Sequence, residues 1–257
     1  MELLRVIELS KYFGGLCATS QLSFDLSESE ILGIIGPNGS GKTTLFNLIT
    51  GVHKPDEGRI FFNGYNITGH KPHAVAQRGI ARTFQVTNLF ASQTSLDNVI
   101  MGFHCRTGAG IWGALSRNAR TRKEEQACRG KAEEILAFLS LTEVMDRQAA
   151  LLSSAEQRRL MIGIAMATQP RLLLLDEPTA GMSSEETAQT VEIISNIRAR
   201  GTAILLIEHN MQVAMNICDR FIAIEAGAML AQGSPESIAS NPRVIEAYLG
   251  KEQICSN

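Results

Sequence analysis

The chain has 257 residues, enough to bury a sizeable core and suited to one α/β domain with a subdomain. Its 24 basic and 26 acidic residues leave a formal charge of −2, which gives no electrostatic footprint for nucleic acid. No apolar run approaches the roughly 20 residues of a membrane-spanning helix. The start, Met1-Glu2-Leu3-Leu4-Arg5, lacks a secretory pattern. The five cysteines (17, 105, 128, 218 and 255) never fall in C-x-x-C spacing, so reduced thiols in a soluble intracellular protein are expected, not disulfides or zinc.

In chain order, Leu4 to Leu9 and Leu22 to Leu26 alternate enough to be read as strands, in antiparallel pairing if they meet. Between them Tyr12-Phe13 precedes Gly14-Gly15. An aromatic there could stack on an adenine ring, and ordinary strand-end packing is the commoner local reading. Ile31 to Ile35 is a short apolar run of the kind shown by a buried parallel strand. It leads into Gly36-Pro37-Asn38-Gly39-Ser40-Gly41-Lys42-Thr43, which fits the phosphate-loop pattern G-x-x-x-x-G-K-[ST], and Thr44 follows. The glycines let successive N–H groups turn inward around a phosphate, and the helix from Lys42 to Thr50 offers its first-turn N–H groups to the same anion. Lys42 suits the β- and γ-phosphates, and the Thr43 hydroxyl suits magnesium.

Farther on, Gly58 to Gly64 reads as a strand ending in a tight turn, Pro72 to Arg78 as a short helix and Ile80 to Phe84 as a strand with Gln85 after it. Helical patterns then cover Leu96 to Met101, Glu133 to Leu139 and Glu156 to Thr168. Gly108 to Arg120 reads as a glycine-rich, basic loop. Arg117, Arg120, Arg122 and Lys123 alternate with Glu124 and Glu125 as a solvated face. Leu172 to Leu175 is a buried strand ending in Asp176-Glu177, where open α/β sheets bind ligands. Ser183 to Glu186 has capping-box spacing for a helix reaching about Arg200. Thr202 to Glu208 is another buried strand, and His209 stands at its end. A hairpin around Gly227 and a helical segment from Ser234 close the chain.

In this order the motifs resemble the ATP-binding subunit of ABC transporters over nearly the whole length. The set comprises the phosphate loop at 36–43, Gln85, a helical insert, Leu152-Ser153, the strand with Asp176-Glu177, and His209. The resemblance implies a P-loop NTPase core with an N-terminal antiparallel β subdomain and an inserted helical subdomain. Its expected layout is a core at 1–85 and 169–233, helical residues 86–168 and a C-terminal helical segment at 234–257. It further implies ATP and Mg2+ as ligands. Phe13 would stack on adenine, and Gly36, Asn38, Gly39, Ser40, Gly41, Lys42, Thr43 and Thr44 would bind phosphate. Thr43, Asp176 and Gln85 would serve magnesium. Glu177 would be the catalytic glutamate and His209 the switch histidine, with Gln85 coupling to the membrane subunits. Phe13-Gly14-Gly15-Leu16, Ala81 to Gln85, the long insert, Glu208 to Met211 and Asn241 to Gly250 resemble the branched-chain amino acid uptake type. ATPases of urea or amide import and of lipopolysaccharide export are similar alternatives.

The implied partners are transmembrane permease subunits, a second ATPase subunit paired head to tail and, indirectly, a solute-binding protein. The implied location is the cytoplasmic face of the plasma membrane. Two departures stand out. The family signature L-S-G-G-Q here reads Leu152-Ser153-Ser154-Ala155-Glu156, and the family segment S-A-L-D here reads Ala180-Gly181-Met182-Ser183. In the family the signature of one subunit closes over the partner's ATP, the role carried to Ser153. If the position of Ala155 needs positive φ, alanine costs roughly 1 kcal/mol there. The expectation is an asymmetric heterodimer, in which the site closed by this chain's own signature is the weaker. A soluble ABC ATPase without transport, or a non-hydrolysing regulatory subunit, are the rival readings.

Overall fold

A computed structural model describes residues 1–83, 89–104 and 119–252. It divides into two compact units, residues 1–80, 171–177 and 195–257 forming the first and 81–170 with 178–194 the second.

The first unit is built on two sheets. β1 (Glu2–Phe13) and β2 (Leu16–Ser27) pair antiparallel, as their alternation predicts, and run longer than the apolar cores read from the sequence. β4 (Glu57–Phe62) joins the other side of β1, and β5 (Tyr65–Asn66) follows a turn at Asn63-Gly64 to complete this sheet.

The second sheet has the strand order β10-β9-β3-β8-β7-β6. β3 (Ile31–Ile35) and β8 (Ala203–Ile207) are buried along their full lengths, and β7 (Leu172–Asp176) is buried up to its last residue. Continuous apolar runs of this kind mark strands covered on both faces. β3 runs parallel to β8 and to β9 (Arg220–Glu225), and β7 runs parallel to β8. The hairpin around Gly227 is formed by β9 and β10 (Ala228–Gly233), so its first strand extends the parallel sheet. β6 (Ile80–Arg82) is the opposite edge.

One apolar core joins the two sheets, with Leu9, Leu22, Phe46, Phe62, Leu174, Leu205 and Ile222 all buried. α1 (Lys42–Ile49) buries Leu45, Phe46, Leu48 and Ile49 in it, and α2 (Pro72–Gln77) starts on its proline. A bond of 2.8 Å from Ser20 N–H to the Gly227 carbonyl links β2 to the β9–β10 turn.

The second unit is helical. It holds α3 (Ser95–His104), α4 (Ala119–Phe138) and α5 (Ser154–Ala167). α6 (Ser184–Ala199) begins in this unit and ends in the first. The loop expected over Gly108 to Arg120 lies outside the described residues except for its last two positions, which already belong to α4.

Two helix starts use reciprocal caps. The expected one is present: Glu186 N–H donates to Ser183 Oγ at 3.3 Å, and Ser183 N–H to Glu186 Oε2 at 2.9 Å. The other was hidden in the altered signature. Glu156 N–H donates to Ser153 Oγ at 3.2 Å and Ser153 N–H to Glu156 Oε2 at 2.7 Å, so Leu152 to Glu156 is a working capping box. The strain expected at Ala155 is absent. Ala155 is the second residue of α5, buried, and not among the positive-φ residues of the chain. Its methyl therefore favours the helix, since glycine there would cost up to about 1 kcal/mol.

The fold beyond α6 is completed by α7 (Met211–Ile217), α8 (Pro235–Ala239) and α9 (Pro242–Glu252). α7 has no clear period in the sequence, being a short helix capped by Asn210, whose side chain accepts from Val213 N–H at 3.2 Å.

The Ser183–Glu186 cap carries a pH signature. Hydrogen bonds from the Ser183 backbone, then its hydroxyl, hold the Glu186 carboxyl below its ordinary 4.5. A depressed folded pKa gives stability that is present above 4.5 and is lost as pH falls through the lower folded value. Thermal melts of Glu186→Gln should therefore lie below the wild type at neutral pH and converge on it as the solution is acidified past 4.5. Ser153→Ala should cost about 1 kcal/mol at any of these pH values, read as a lower melting temperature.

Candidate functional site

A cleft of about 650 Å³ in the first unit lies along the ends of β3, β7 and β8 and the turn of β9–β10. The phosphate loop forms its floor. Gly41, with φ 105°, is the N-cap of α1, and a Cβ on it would stand 2.3 Å from the Ala18 carbonyl oxygen of β2. Gly36, with φ 153°, is pressed equally hard, because a Cβ there would meet the Ile224 carbonyl oxygen at 2.1 Å. Only glycine fits at both ends of the loop, which is therefore wedged between the two sheets.

α1 receives no side-chain cap, so its first N–H groups face the cleft with the positive end of the helix dipole behind them. Lys42 is buried, and its Nζ donates to the carbonyls of Gly36 at 2.7 Å and Pro37 at 3.0 Å. Asn38, Gly39 and Thr43 are exposed on the loop, and Thr44 is half-buried. Ser40 is buried, yet its Oγ has no protein partner, the mark of a polar atom awaiting a ligand.

Phe13 ends β1 at the rim of this cleft, 42% exposed. Its strand end is pinned by Asp56, which accepts from Tyr12 N–H at 2.7 Å and Lys11 Nζ at 3.1 Å. Those bonds, the backbone one first, hold the Asp56 carboxyl below its ordinary range. The ring meets His53 in a T-shaped contact at 5.3 Å between centroids, and the Lys11 ammonium lies over it at 5.4 Å.

Across the cleft, Asp176 is the last residue of β7, opposite Ile207 of β8. Glu177 leaves the strand with φ 50°, a left-handed conformation unusual for glutamate, held by its N–H on the Ile207 carbonyl at 2.8 Å. The turn swings its carboxylate to His209, and Glu177 Oε1 lies 2.9 Å from His209 Nε2. Both side chains stay partly exposed to the cleft.

Among the expected site residues, Phe13, Asn38, Gly39, Ser40, Gly41, Lys42, Thr43, Thr44, Asp176, Glu177 and His209 line this one cleft. Gly36 is buried behind the loop, Ser153 heads α5 in the second unit, and Gln85 lies outside the described residues. Leu16, Cys17, Ala18, Glu225 and Ala226 also line the cleft. Nothing in their local sequence marks them, because hairpin packing brings them there.

The donor set fits a magnesium–nucleotide. Among the described residues no three of His, Cys, Asp or Glu cluster for a metal, but magnesium needs only one or two protein oxygens beside water and phosphate. The Thr43 hydroxyl and Asp176 carboxylate line the same cleft and would supply them.

A phosphate loop on a parallel sheet, facing an aspartate and glutamate at the end of β7, defines a nucleoside-triphosphate hydrolase. Residues 19–180 match the family described as ABC transporter, and residues 228–253 match that described as branched-chain amino acid ATP-binding cassette transporter. This chain belongs to the ABC transporter ATP-binding family and is an ATPase.

It is 41% identical over 250 residues to the high-affinity branched-chain amino acid transport ATP-binding protein LivG of Salmonella typhimurium, covering 97% of this chain and 98% of that protein. Identity to BraF of Pseudomonas aeruginosa, which carries the same description, is 39% with the same coverage. A solved ATP-binding cassette of an ABC transporter in its ADP conformation superposes with a TM-score of 0.85 at 35% identity, over 97% of this chain and 99% of that one. A nucleotide-free cassette gives 0.85 at 34%, over 96% and 99%.

Because the Ala18 carbonyl occupies the space, Gly41→Ala should strain the loop by about 1–3 kcal/mol and weaken ATP binding. A melting curve and a titration with a fluorescent ATP analogue would show both. An alanine variant that binds ATP like the wild type would contradict the wedge.

Proposed function

We propose that this chain is the ATP-hydrolysing subunit of an importer for branched-chain amino acids, driving separate permease subunits from the cytoplasmic face of the membrane. The carrying observation is the Glu177–His209 pair, 2.9 Å apart, in one cleft with the phosphate loop and Asp176. The solute reading is supported by relatives described as branched-chain amino acid transport proteins. Among the described residues no helix is long and apolar enough to cross a membrane, which suits a subunit docked on permeases.

Each residue has a definite role. Phe13 stacks on the adenine. The N–H groups at Gly39 to Thr44 hold the β-phosphate, and Lys42 exchanges its carbonyl contacts for β- and γ-phosphate oxygens. Thr43 and Asp176 would hold magnesium, which would supply positive charge for the phosphates, and Gln85 would sense it. Glu177 orients the attacking water in line with the γ-phosphate. His209 fixes that carboxylate beside the charge developing during transfer.

Ser153 would close over the ATP of a head-to-tail partner. Its hydroxyl oxygen accepts within the capping box, while its proton remains available to a phosphate. The altered signature, Ser154-Ala155-Glu156 in place of Gly-Gly-Gln, favours a heterodimer with one stronger and one weaker site. A solute-binding protein completes the assembly on the far side of the membrane.

Glu177→Gln should cut ATP turnover by about 10²–10³-fold while ATP binding persists. Steady-state hydrolysis beside ATP trapping would measure this in the complex with permeases and partner. Full turnover in the variant would remove Glu177 from the chemistry. Uptake of radiolabelled leucine into proteoliposomes bearing the assembled complex tests the solute. Transport of urea in its place would overturn that part.

A further inference from the structure

The first peptide of the phosphate loop is held by a residue no motif includes. We propose that Tyr248 of α9 is a positioning residue for the nucleotide site, anchoring the loop through the Gly36 N–H. That N–H donates to the Tyr248 hydroxyl at 2.8 Å across 212 positions of sequence.

The need for such an anchor follows from the ladder. β3 pairs with β9 as far as Ile35 opposite Ala223, so Gly36 is the first residue beyond the pairing. Gly36 is nevertheless buried, and a buried N–H without a partner is rare and costly. A Cβ-free residue with φ 153° against the Ile224 carbonyl cannot turn to find another acceptor cheaply. Tyr248 meets the demand.

The other side of the same residue is held differently. Lys42 Nζ donates to the Gly36 carbonyl at 2.7 Å, and that ammonium is the group that turns to phosphate when ATP enters. The lysine contact is exchangeable and the tyrosine contact is not. Tyr248 is thus the hold that persists through binding.

Its own placement is fixed by packing. The residue borders an apolar groove with Met211, Met215, Ile238 and Val244, of which Ile238 and Val244 are buried. Burial raises the Tyr248 phenol above its ordinary range and the Gly36 N–H opposes the rise, so the hydroxyl stays protonated at neutral pH. The C-terminal segment, matched as a family feature of its own over residues 228–253, therefore steadies the phosphate loop.

This inference rests on the nucleotide-site reading, and Tyr248→Phe tests it because the ring is kept and only the hydroxyl is lost. In the full chain, ATP and ADP affinities should fall by the same factor, about tenfold, since both present the β-phosphate. The turnover number at saturating ATP should hold in the assembled complex, separating a KM effect from a kcat effect. Amide exchange at Gly36, measured without nucleotide, should accelerate by a similar factor. Val75→Ala, a cavity at the buried residue of α2 in the same unit, serves as the stability control and should lower the melting temperature with nucleotide affinity unchanged. Unaltered exchange and affinity in Tyr248→Phe, or an equal affinity loss in Val75→Ala, would overturn the anchor. A wild-type chain that binds neither nucleotide would instead overturn the site reading, and exchange at Gly36 would still decide the contact.

Discussion

Two backbone carbonyls, of Ala18 and Ile224, leave no room for a side chain at Gly41 and Gly36, and the site depends on that exclusion. The loop between these glycines cannot relax in either direction, because β2 blocks one end and β9 the other. A loop so confined keeps its N–H groups pointed at the cleft before any ligand arrives, which lowers the ordering cost of binding. The antiparallel sheet is thus a wall of the nucleotide site as well as a separate layer. It supplies Ala18, and the hairpin beyond it carries Phe13.

The opposite wall obeys a second constraint. Glu177 occupies a left-handed conformation that a glutamate adopts at a cost, and the Ile207 carbonyl and His209 stabilise it there. Strand ends β7 and β8 are held in parallel register, so Asp176, Glu177 and His209 converge without a loop of their own. Rigid strands position these groups more reliably than loops could.

Much of the fold was legible because its signals are local. The run Ile31–Ile35 before a glycine-rich octapeptide, and Leu172–Leu175 before Asp176-Glu177, name their strands and the ligand edge of the sheet together. The signature was harder. Beside the family pattern Leu152 to Glu156 looks degraded, yet Ser153 and Glu156 have the spacing of a capping box, and Ala155 sits in an ordinary helical turn. The contacts the sequence concealed are long-range. Ala18 against Gly41 and Tyr248 against Gly36 join residues whose neighbours give no hint of each other, because sheet closure and helix docking create them. α7 escaped notice for the opposite reason, being too short for a period to establish itself.

The central claim is that the cleft drives transport by hydrolysing ATP in partnership with other subunits. Its most direct test is ATP turnover by the purified chain alone, then reconstituted with its permease subunits and ATPase partner, with and without a branched-chain amino acid and its binding protein. Slow turnover alone, stimulation in the complex and a further rise with the amino acid are the expected results. Turnover that is equal in every assembly and indifferent to the solute would contradict the claim.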